Sequence, residues 1–441
     1  MVGGVAAGLS AAGRARRLDP NLKVTVFERT GFCSYTACGL PYFVAGVIPD
    51  HRALVVRSPE DFTPEGIDVH VHHEVLAVNI ASSRVAVRDL DSGKTWEEDF
   101  DELLLSTGGK AKLPLKGLDL AGAFPVRTVE DGIAIRAWIA DHKPRRAVIV
   151  GGGYIGLEMA EALVAHGIQV SMVEMLPQVL PLVDEEIASV VRTELERAGV
   201  EVRCSTPVEA IEGNGKVRQV IAAGDVIDAD LVVVGTGVRP DNELVRDAGI
   251  PLGPHGGVAV DEHMRTGVPQ VWAAGDCCET RHLLHDRPAY IPLGTTANKH
   301  GRIAGANIAG GHESFAGAAG TAAIKVMDLH VARTGLSERE ATAAGLDVAA
   351  ATIEHRSRAR YYPGGSEIKV KMVAERGSGR LLGAQLAGAE GVAKRIDVVA
   401  GALYSHATVE DVAGFDLSYA PPFAPVWDPL LIAARQLEKA L

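Results

Sequence analysis

Long apolar runs are missing from this sequence. None reaches the roughly 18 residues that a membrane-spanning helix requires. The first residues show no charged stretch ahead of an apolar one, so the chain reads as cytoplasmic. A basic surplus is missing too. The net charge is −12, whereas neutralising nucleic-acid phosphates takes a positive surface. Five cysteines, an odd and sparse number, exclude a disulfide scaffold, so any disulfide here is expected to be catalytic. No Cys/His spacing fits zinc, and there is no Gly-x-Ser-x-Gly elbow, low-complexity segment or short-period repeat. Aromatics make up only 5%. Glycine is plentiful, at 49 of 441 residues, which suggests many tight turns between strands and helices. A chain this long, 47% hydrophobic, is expected to bury two or three cores.

Two of the glycine clusters have a recognisable chemistry. Gly3-Gly4-Val5-Ala6-Ala7-Gly8 is followed by a helical pattern over Leu9–Leu18, a β-branched strand over Lys23–Phe27 and then Glu28-Arg29, with Glu28 about 20 residues past Gly8. The glycines let a pyrophosphate approach the helix N-terminus, and the acid can accept hydrogen bonds from a ribose. Val5 fills the second glycine position, and almost no strand precedes Gly3. The second cluster is intact. Strand Ala147–Val150 leads into Gly151-Gly152-Gly153-Tyr154-Ile155-Gly156, and strand Gln169–Val173 ends in Glu174. Glu174 favours a 2′-hydroxyl over a 2′-phosphate, hence NADH over NADPH, although Met175 and the nearby loops leave NADPH open.

Three more apolar strands end in turns: Leu103 to Thr107-Gly108, Leu231 to Gly237, and Val271 to Gly275-Asp276. Asp276 can bind sugar or ribityl hydroxyls, or cap a following helix, or do both. Between the two units lies Ser34-Tyr35-Thr36-Ala37-Cys38-Gly39-Leu40-Pro41-Tyr42. It puts a cysteine where a helix start would lower its pKa; the plainer alternative is a buried structural thiol. After Gly320 the pattern changes to strands Ile368–Val373 and Leu381–Leu386, a helix Arg395–His406 and an aromatic, proline-rich end, as in an interaction module.

Taken together, these segments resemble the flavin- and pyridine-nucleotide-dependent disulfide reductases over essentially the whole chain. The finer likeness is to the single-cysteine branch, closest to the coenzyme A-disulfide reductases. It rests on Ser34–Tyr42, on Tyr290-Ile291-Pro292-Leu293-Gly294-Thr295-Thr296-Ala297-Asn298-Lys299 with Gly301-Arg302, and on Tyr419-Ala420-Pro421-Pro422. The resemblance implies an α/β fold of two Rossmann-like domains, for FAD and NAD, plus a C-terminal α+β dimerisation domain. The implied boundaries are 1–112 with 239–317 for FAD, 113–238 for NAD(P)H, and 318–441 for a homodimer contact. FAD would lie on Gly3, Val5, Ala6, Gly8, Glu28, Arg29, Val75, Thr107, Gly108, Gly275, Asp276 and Ala297. The nicotinamide nucleotide would lie on Gly151, Gly153, Tyr154, Ile155, Gly156, Glu174 and Gly237. Cys38 would alternate between thiolate and a mixed disulfide with coenzyme A, assisted by Tyr361 and Tyr419 of the partner subunit, with Tyr362 an alternative to Tyr361. Arg14 and Arg17, one turn apart on one helix face, would bind coenzyme A phosphates with Ser34, Asn298 and Arg302; a merely solvated basic face is the alternative.

Some positions depart from that pattern. Ala37 stands where the family has Asn, histidines 70, 72 and 73 occupy the Val69–Glu74 strand where a lysine is usual, and Trp427 replaces a basic residue. The acceptor therefore stays open among coenzyme A disulfide, a persulfide or polysulfide, and O2 with Cys38 as a sulfenic acid. Oxidase relatives carry a histidine where this chain has Ala6, which counts against O2. A non-redox flavoprotein is the alternative from another class. Cys33 and Cys38 have the spacing of the two-cysteine branch, but the His-Pro of that branch is absent, so Cys33 reads as core. Cys277-Cys278 reads as packing at a helix start and Cys204 as structural.

Overall fold

The computed structural model describes residues 1–112 and 115–441. The expected boundary after residue 112 abuts 113–114, which lie outside the described residues. Three larger sheets, with smaller antiparallel units beside them, carry the described residues.

The first is parallel and threaded through one residue. Val24–Phe27 pairs with Ile67–His70, and Leu103–Leu105 pairs with Val271–Ala273. Val2 alone bridges the two halves, pairing in parallel with both Phe27 and Leu105. The very short first strand foreseen from the sequence is thus a single ladder position. The first helix, Ala6–Leu18, packs its alanines and glycines on this sheet and against the helix Gly294–Ile308. That close approach depends on two glycines, because a Cβ at Gly301 or Gly305 would strike the backbone of Ala7 or Ala11.

The expected strand Val69–Glu74 is in fact two strands, Ile67–His70 and His73–Asn79. The break falls at His72, whose φ of 55° is left-handed, so the ladder cannot run through it. His73–Asn79 instead opens an antiparallel three-stranded unit with Arg84–Asp89 and Thr95–Asp99.

The second sheet is all parallel and five-stranded, in the order 201–203, 169–173, 146–150, 231–234, 123–125. Its strands 146–150 and 231–234 are almost wholly apolar because both faces are covered, one by helices and the other by the antiparallel strands 208–213, 217–222 and 225–228. The third sheet is antiparallel and five-stranded, in the order 322–326, 329–335, 381–388, 367–375, 348–356. Every residue of Leu381–Gly388 is buried, and the helices Val392–Tyr404 and Pro429–Glu438 close over this sheet. The architecture is α/β with two glycine-turn units and an antiparallel C-terminal module. No helix among the described residues is long and apolar enough to cross a membrane.

Candidate active site

Both glycine turns are built alike. Gly3 and Gly151 each hold φ at +104°, a conformation in which a side chain is strained. Gly4 N donates to Glu28 Oε2 at 2.7 Å, and Gly152 N donates to Glu174 Oε2 at 2.6 Å. A Cβ on Gly8 would collide with the carbonyl oxygen of Gly3, and one on Gly156 with that of Gly151. Val5 and Gly153 precede the two helices, which begin at Ala6 and Tyr154. Ile155 follows in the first turn of the second helix. Gly237, with φ +89°, accepts from Lys112 N at 2.9 Å, which ties the second unit to the first.

The residues expected around a flavin converge. A Cβ on Gly275 would sit 2.9 Å from Ala7 Cβ and 3.6 Å from Ala297 Cβ, so three elements meet at one point. A cavity of about 270 Å³ is lined by Gly3, Glu28, Arg29, Val75 and Thr107 together with Lys110 and Asp241. Thr107 Oγ1 donates to Asp241 O at 2.8 Å, and Gly108 O accepts from Asp241 N at 3.0 Å. A larger depression, about 480 Å³, lies by 117–120 and 211–219 and holds none of the expected residues.

Whether FAD fits can be asked of the polar atoms. Tyr290 Oη and Glu130 Oε2 are buried without a hydrogen-bond partner, which is costly in a finished core. Tyr290 Oη lies 3.3 Å from where a Cβ on Gly109 would stand, beside Arg127 and the Gly108 turn. Glu130 Oε1 accepts from Gly31 N at 2.9 Å, just after Arg29. Such orphaned groups around a glycine cradle suit a large ligand bearing hydroxyls and ring heteroatoms, and the donor set fits FAD.

Asp276 differs from expectation in its setting. No helix follows it. The chain turns through Cys277 and Cys278 into the short strand Thr280–Arg281, so neither an N-cap nor a helix-start role applies. The Asp276 carboxylate accepts from Arg127 Nη2 at 2.9 Å. Cys277 and Cys278 are buried and free, with their sulfurs 3.6 Å apart.

Among the described residues Cys38 is the only exposed cysteine, and it makes no disulfide. It lies in the single turn Ala37–Gly39 that runs into the short helix Leu40–Val44. The expected lowering of its pKa by a helix start is not found. The protein mass around the thiol pushes it up, and the carboxylates of Glu158 and Asp276 add to that, against Arg127. A five-residue helix has too small a dipole to reverse this. Cys33 is core, as expected: it is 1% exposed, and burial pushes its thiol to about 11. Cys204 is half-buried and free.

Two groups of the substrate set separate. Arg14, expected with Arg17 on one helix face, is ion-paired to Glu313 at 2.5 Å. Arg17 and Arg302 are exposed and make no ion pair among the described residues. Asn298 is exposed and accepts from Ser10 Oγ at 2.7 Å, which sets the first helix and Gly294–Ile308 side by side. Ser34 adopts φ 50°, and its N–H donates to Gly4 O at 2.9 Å. Far along the chain, Tyr361 and Tyr419 are exposed, with their hydroxyls 3.1 Å apart. That hydrogen bond holds the Tyr419 hydroxyl above its ordinary pKa. Tyr362 stands apart, near the Arg358 guanidinium.

Sequence reasoning missed Arg127 and Glu158, and it named Tyr290 only as part of a segment, with no role of its own. The helix Leu40–Val44 packs on the helix bearing Glu158, and burial with the neighbouring Glu161 pushes the Glu158 carboxyl to about 7. A carboxylate within the apolar run Leu157 to Ala160 was the available signal.

Comparison with known proteins agrees with this geometry. Residues 1–301 match the family model described as pyridine nucleotide-disulphide oxidoreductase, and residues 321–429 match the dimerisation domain of that family. An NAD(P)H sulfur oxidoreductase (CoA-dependent) of Pyrococcus abyssi is 41% identical, over 99% of this chain and 97% of its own. An NADH oxidase of Methanocaldococcus jannaschii is 36% identical over 100% and 98%. A coenzyme A disulfide reductase of Staphylococcus epidermidis is 30% identical over 96% of both chains. The two glycine-turn units, the C-terminal module and these matches agree: the chain belongs to the pyridine nucleotide-disulphide oxidoreductases, flavoenzymes that depend on FAD and NAD(P)H.

Proposed function

We propose that this enzyme uses NADH to reduce a coenzyme A-linked sulfur–sulfur bond, disulfide or persulfide, through Cys38 as its single redox cysteine. The observation that carries the reading is a lone exposed thiol in a chain whose other cysteines are buried or half-buried. The likeness to the Pyrococcus and Staphylococcus enzymes supports the acceptor class.

On this reading, residues 1–112 and 239–317 seat FAD, 113–238 receive NADH and 318–441 form the homodimer contact. FAD, when bound, supplies hydride acceptance from the nicotinamide and delivery of an electron pair to sulfur. The Cys38 thiolate attacks one sulfur of CoA–S–S–CoA, the S–S bond breaks, and coenzyme A leaves as a thiolate. The Tyr361–Tyr419 pair of the partner subunit supplies a proton to that leaving sulfur, the two hydroxyls lying 3.1 Å apart so that the proton lost by one is shared with the other. The Cys38–S–S–CoA bond is then cleaved by the electron pair from NADH, which restores the Cys38 thiolate and releases a second coenzyme A. The sum is NADH, a proton and the disulfide giving NAD⁺ and two thiols; with a persulfide the products are coenzyme A and hydrogen sulfide. Arg127 is the cation that favours the Cys38 thiolate. Arg17, Arg302, Asn298 and Ser34 bind the phosphates and pantetheine. Glu174, a carboxylate accepting from Gly152 N and Leu176 N at the strand end, disfavours a 2′-phosphate.

The test is NADH turnover with coenzyme A disulfide, coenzyme A persulfide, glutathione disulfide and O2 side by side, on wild type and Cys38→Ser. Coenzyme A-linked acceptors should dominate, and the serine variant should lose them. The Methanocaldococcus relative favours NADH oxidation as the second reading; O2 turnover matching that of the sulfur acceptors would establish it. Full sulfur turnover by Cys38→Ser would end both readings.

A further inference from the structure

The two tyrosine hydroxyls lie on irregular segments far apart in sequence, 357–366 and 418–428. They are nevertheless 3.1 Å apart, and beneath the two segments lies a buried ion pair. Arg395, on the helix Val392–Tyr404, grips Asp428 with Nε–Oδ2 and Nη2–Oδ2 both at 2.9 Å, and the two side chains are only 8% and 10% exposed. The same guanidinium donates through Nη2 to the carbonyl of Ser357 at 3.1 Å and through Nη1 to that of Gly391 at 3.3 Å. Ser357 is the base of the Tyr361 loop. Its N–H donates to Ser366 O at 2.9 Å, and its hydroxyl accepts from Ser366 N at 3.0 Å, so the loop is closed at its neck. Asp428 ends the Tyr419 segment and caps the last helix, accepting from Leu430 N at 2.9 Å. One planar cation therefore holds the root of both tyrosine-bearing segments.

A pair like this is a poor way to gain stability, because taking both charges out of water costs about as much as their attraction returns. What it supplies is geometry. A guanidinium presents its donors in a fixed fork, so Asp428 and Ser357 O are held at a set distance and angle. We infer that Arg395 and Asp428 are positioning residues that hold Tyr361 and Tyr419 in register as one proton-donating pair. The inference rests on the proposed reading that these tyrosines serve the sulfur chemistry.

The experiment uses the flavin-loaded dimer with Arg395→Lys, Asp428→Asn, Tyr419→Phe and the Arg395→Lys/Tyr419→Phe double variant. Lysine keeps the charge but cannot bridge both partners, and asparagine keeps the helix cap but loses the ion pair. In Arg395→Lys and Asp428→Asn, flavin content, dimer mass and NADH:ferricyanide turnover, which needs no sulfur step, should stay at wild-type levels. Turnover of coenzyme A disulfide should fall about tenfold in kcat with KM for NADH unchanged. In the Tyr419→Phe background, Arg395→Lys should add little further loss, since both changes remove the same function.

Additive losses, equal losses with ferricyanide, or loss of the dimer in both Arg395→Lys and Asp428→Asn would overturn the inference in favour of a purely structural pair. If Tyr419→Phe is impaired and both clasp variants are normal, the inference fails alone. A silent Tyr419→Phe removes the tyrosine reading and the inference with it.

Discussion

The two glycine turns share a further device beyond the motif. In each, a residue forced to positive φ reaches back to the second glycine: Ser34 N (φ 50°) donates to Gly4 O at 2.9 Å, and Leu180 N (φ 49°) donates to Gly152 O at 2.7 Å. After that hook the units part. Past Ser34 the chain presents Cys38. Past Leu180 it runs to Asp184, which docks on the C-terminal sheet: its N–H donates to Gln385 Oε1 at 2.6 Å, and its carboxylate lies 3.3 Å from the buried Lys371 Nζ. Their surroundings differ as well. The first turn has Cys33 over Gly4 and Gly275 and Ala297 against its helix, whereas the second has Val179 over Gly152 but nothing within 4 Å of a Cβ on Gly153, and Met175 is 68% exposed. Identical backbone construction thus yields an enclosed seat suited to a resident group and an open one suited to a nucleotide that comes and goes. What is packed on the turn decides which.

The largest effect that tests this contrast comes from matched substitutions. Gly8→Ala should abolish flavin retention, measured by visible absorbance of the purified protein, because the added methyl meets the Gly3 carbonyl inside an enclosed seat. Gly156→Ala should keep its flavin and raise KM for NADH. Overpacking of about 1–3 kcal/mol corresponds to roughly five- to 150-fold. If both variants lose flavin equally, the contrast fails. Next is Lys371→Met. It strands Asp184, Glu186 and Glu338, whose carboxylates all lie within 3.3 Å of this ammonium, which should lower the melting temperature by several degrees while leaving the flavin spectrum unchanged. Smaller again is Glu174→Gln, which should raise kcat/KM for NADPH relative to NADH several-fold by removing the repulsion of a 2′-phosphate.

Much of this was legible in the sequence, and the reason is that a glycine turn is a local demand of the backbone. Gly3 and Gly151 are required by a positive φ, Gly8 and Gly156 by a contact within five residues, and Glu28 and Glu174 close their own turns. The strand ends at Gly108, Gly237 and Gly275 were legible for the same reason. What escaped depends on partners distant in the chain. Arg14 reads as a free cation until Glu313 is brought to it across the fold. Cys38 reads as activated because the pattern does not show how short its helix is, or that Glu158 and Asp276 converge on it. The break at His72 and the hooks at Ser34 and Leu180 carry no glycine to announce them. Asp276 looked like a helix cap because strand-then-acid usually precedes a helix, and here a salt bridge to Arg127 takes its place.

The smallest expected effect separates the two units at a single matched position. Two residues past the last glycine of its turn, the first helix carries Ser10 and the second carries Glu158. Ser10 donates to Asn298 on the neighbouring helix Gly294–Ile308, and it is uncharged at any working pH. Glu158 is different, because burial first and Glu161 second raise its carboxyl from 4.5 to about 7. A raised acid binds its proton more tightly folded than unfolded, so the stability it contributes is complete below about pH 4.5 and disappears as pH rises through about 7. The flavin-loaded wild type should therefore lose a few degrees of melting temperature between pH 5 and pH 8, from a term on the order of 3 kcal/mol at most. Glu158→Gln, measured in the same buffers, should flatten that part of the profile, and Ser10→Ala should leave the wild-type slope in place. A slope that survives Glu158→Gln unchanged would mean that the carboxyl titrates normally and that the second helix, like the first, presents no pH-sensitive group to the cysteine.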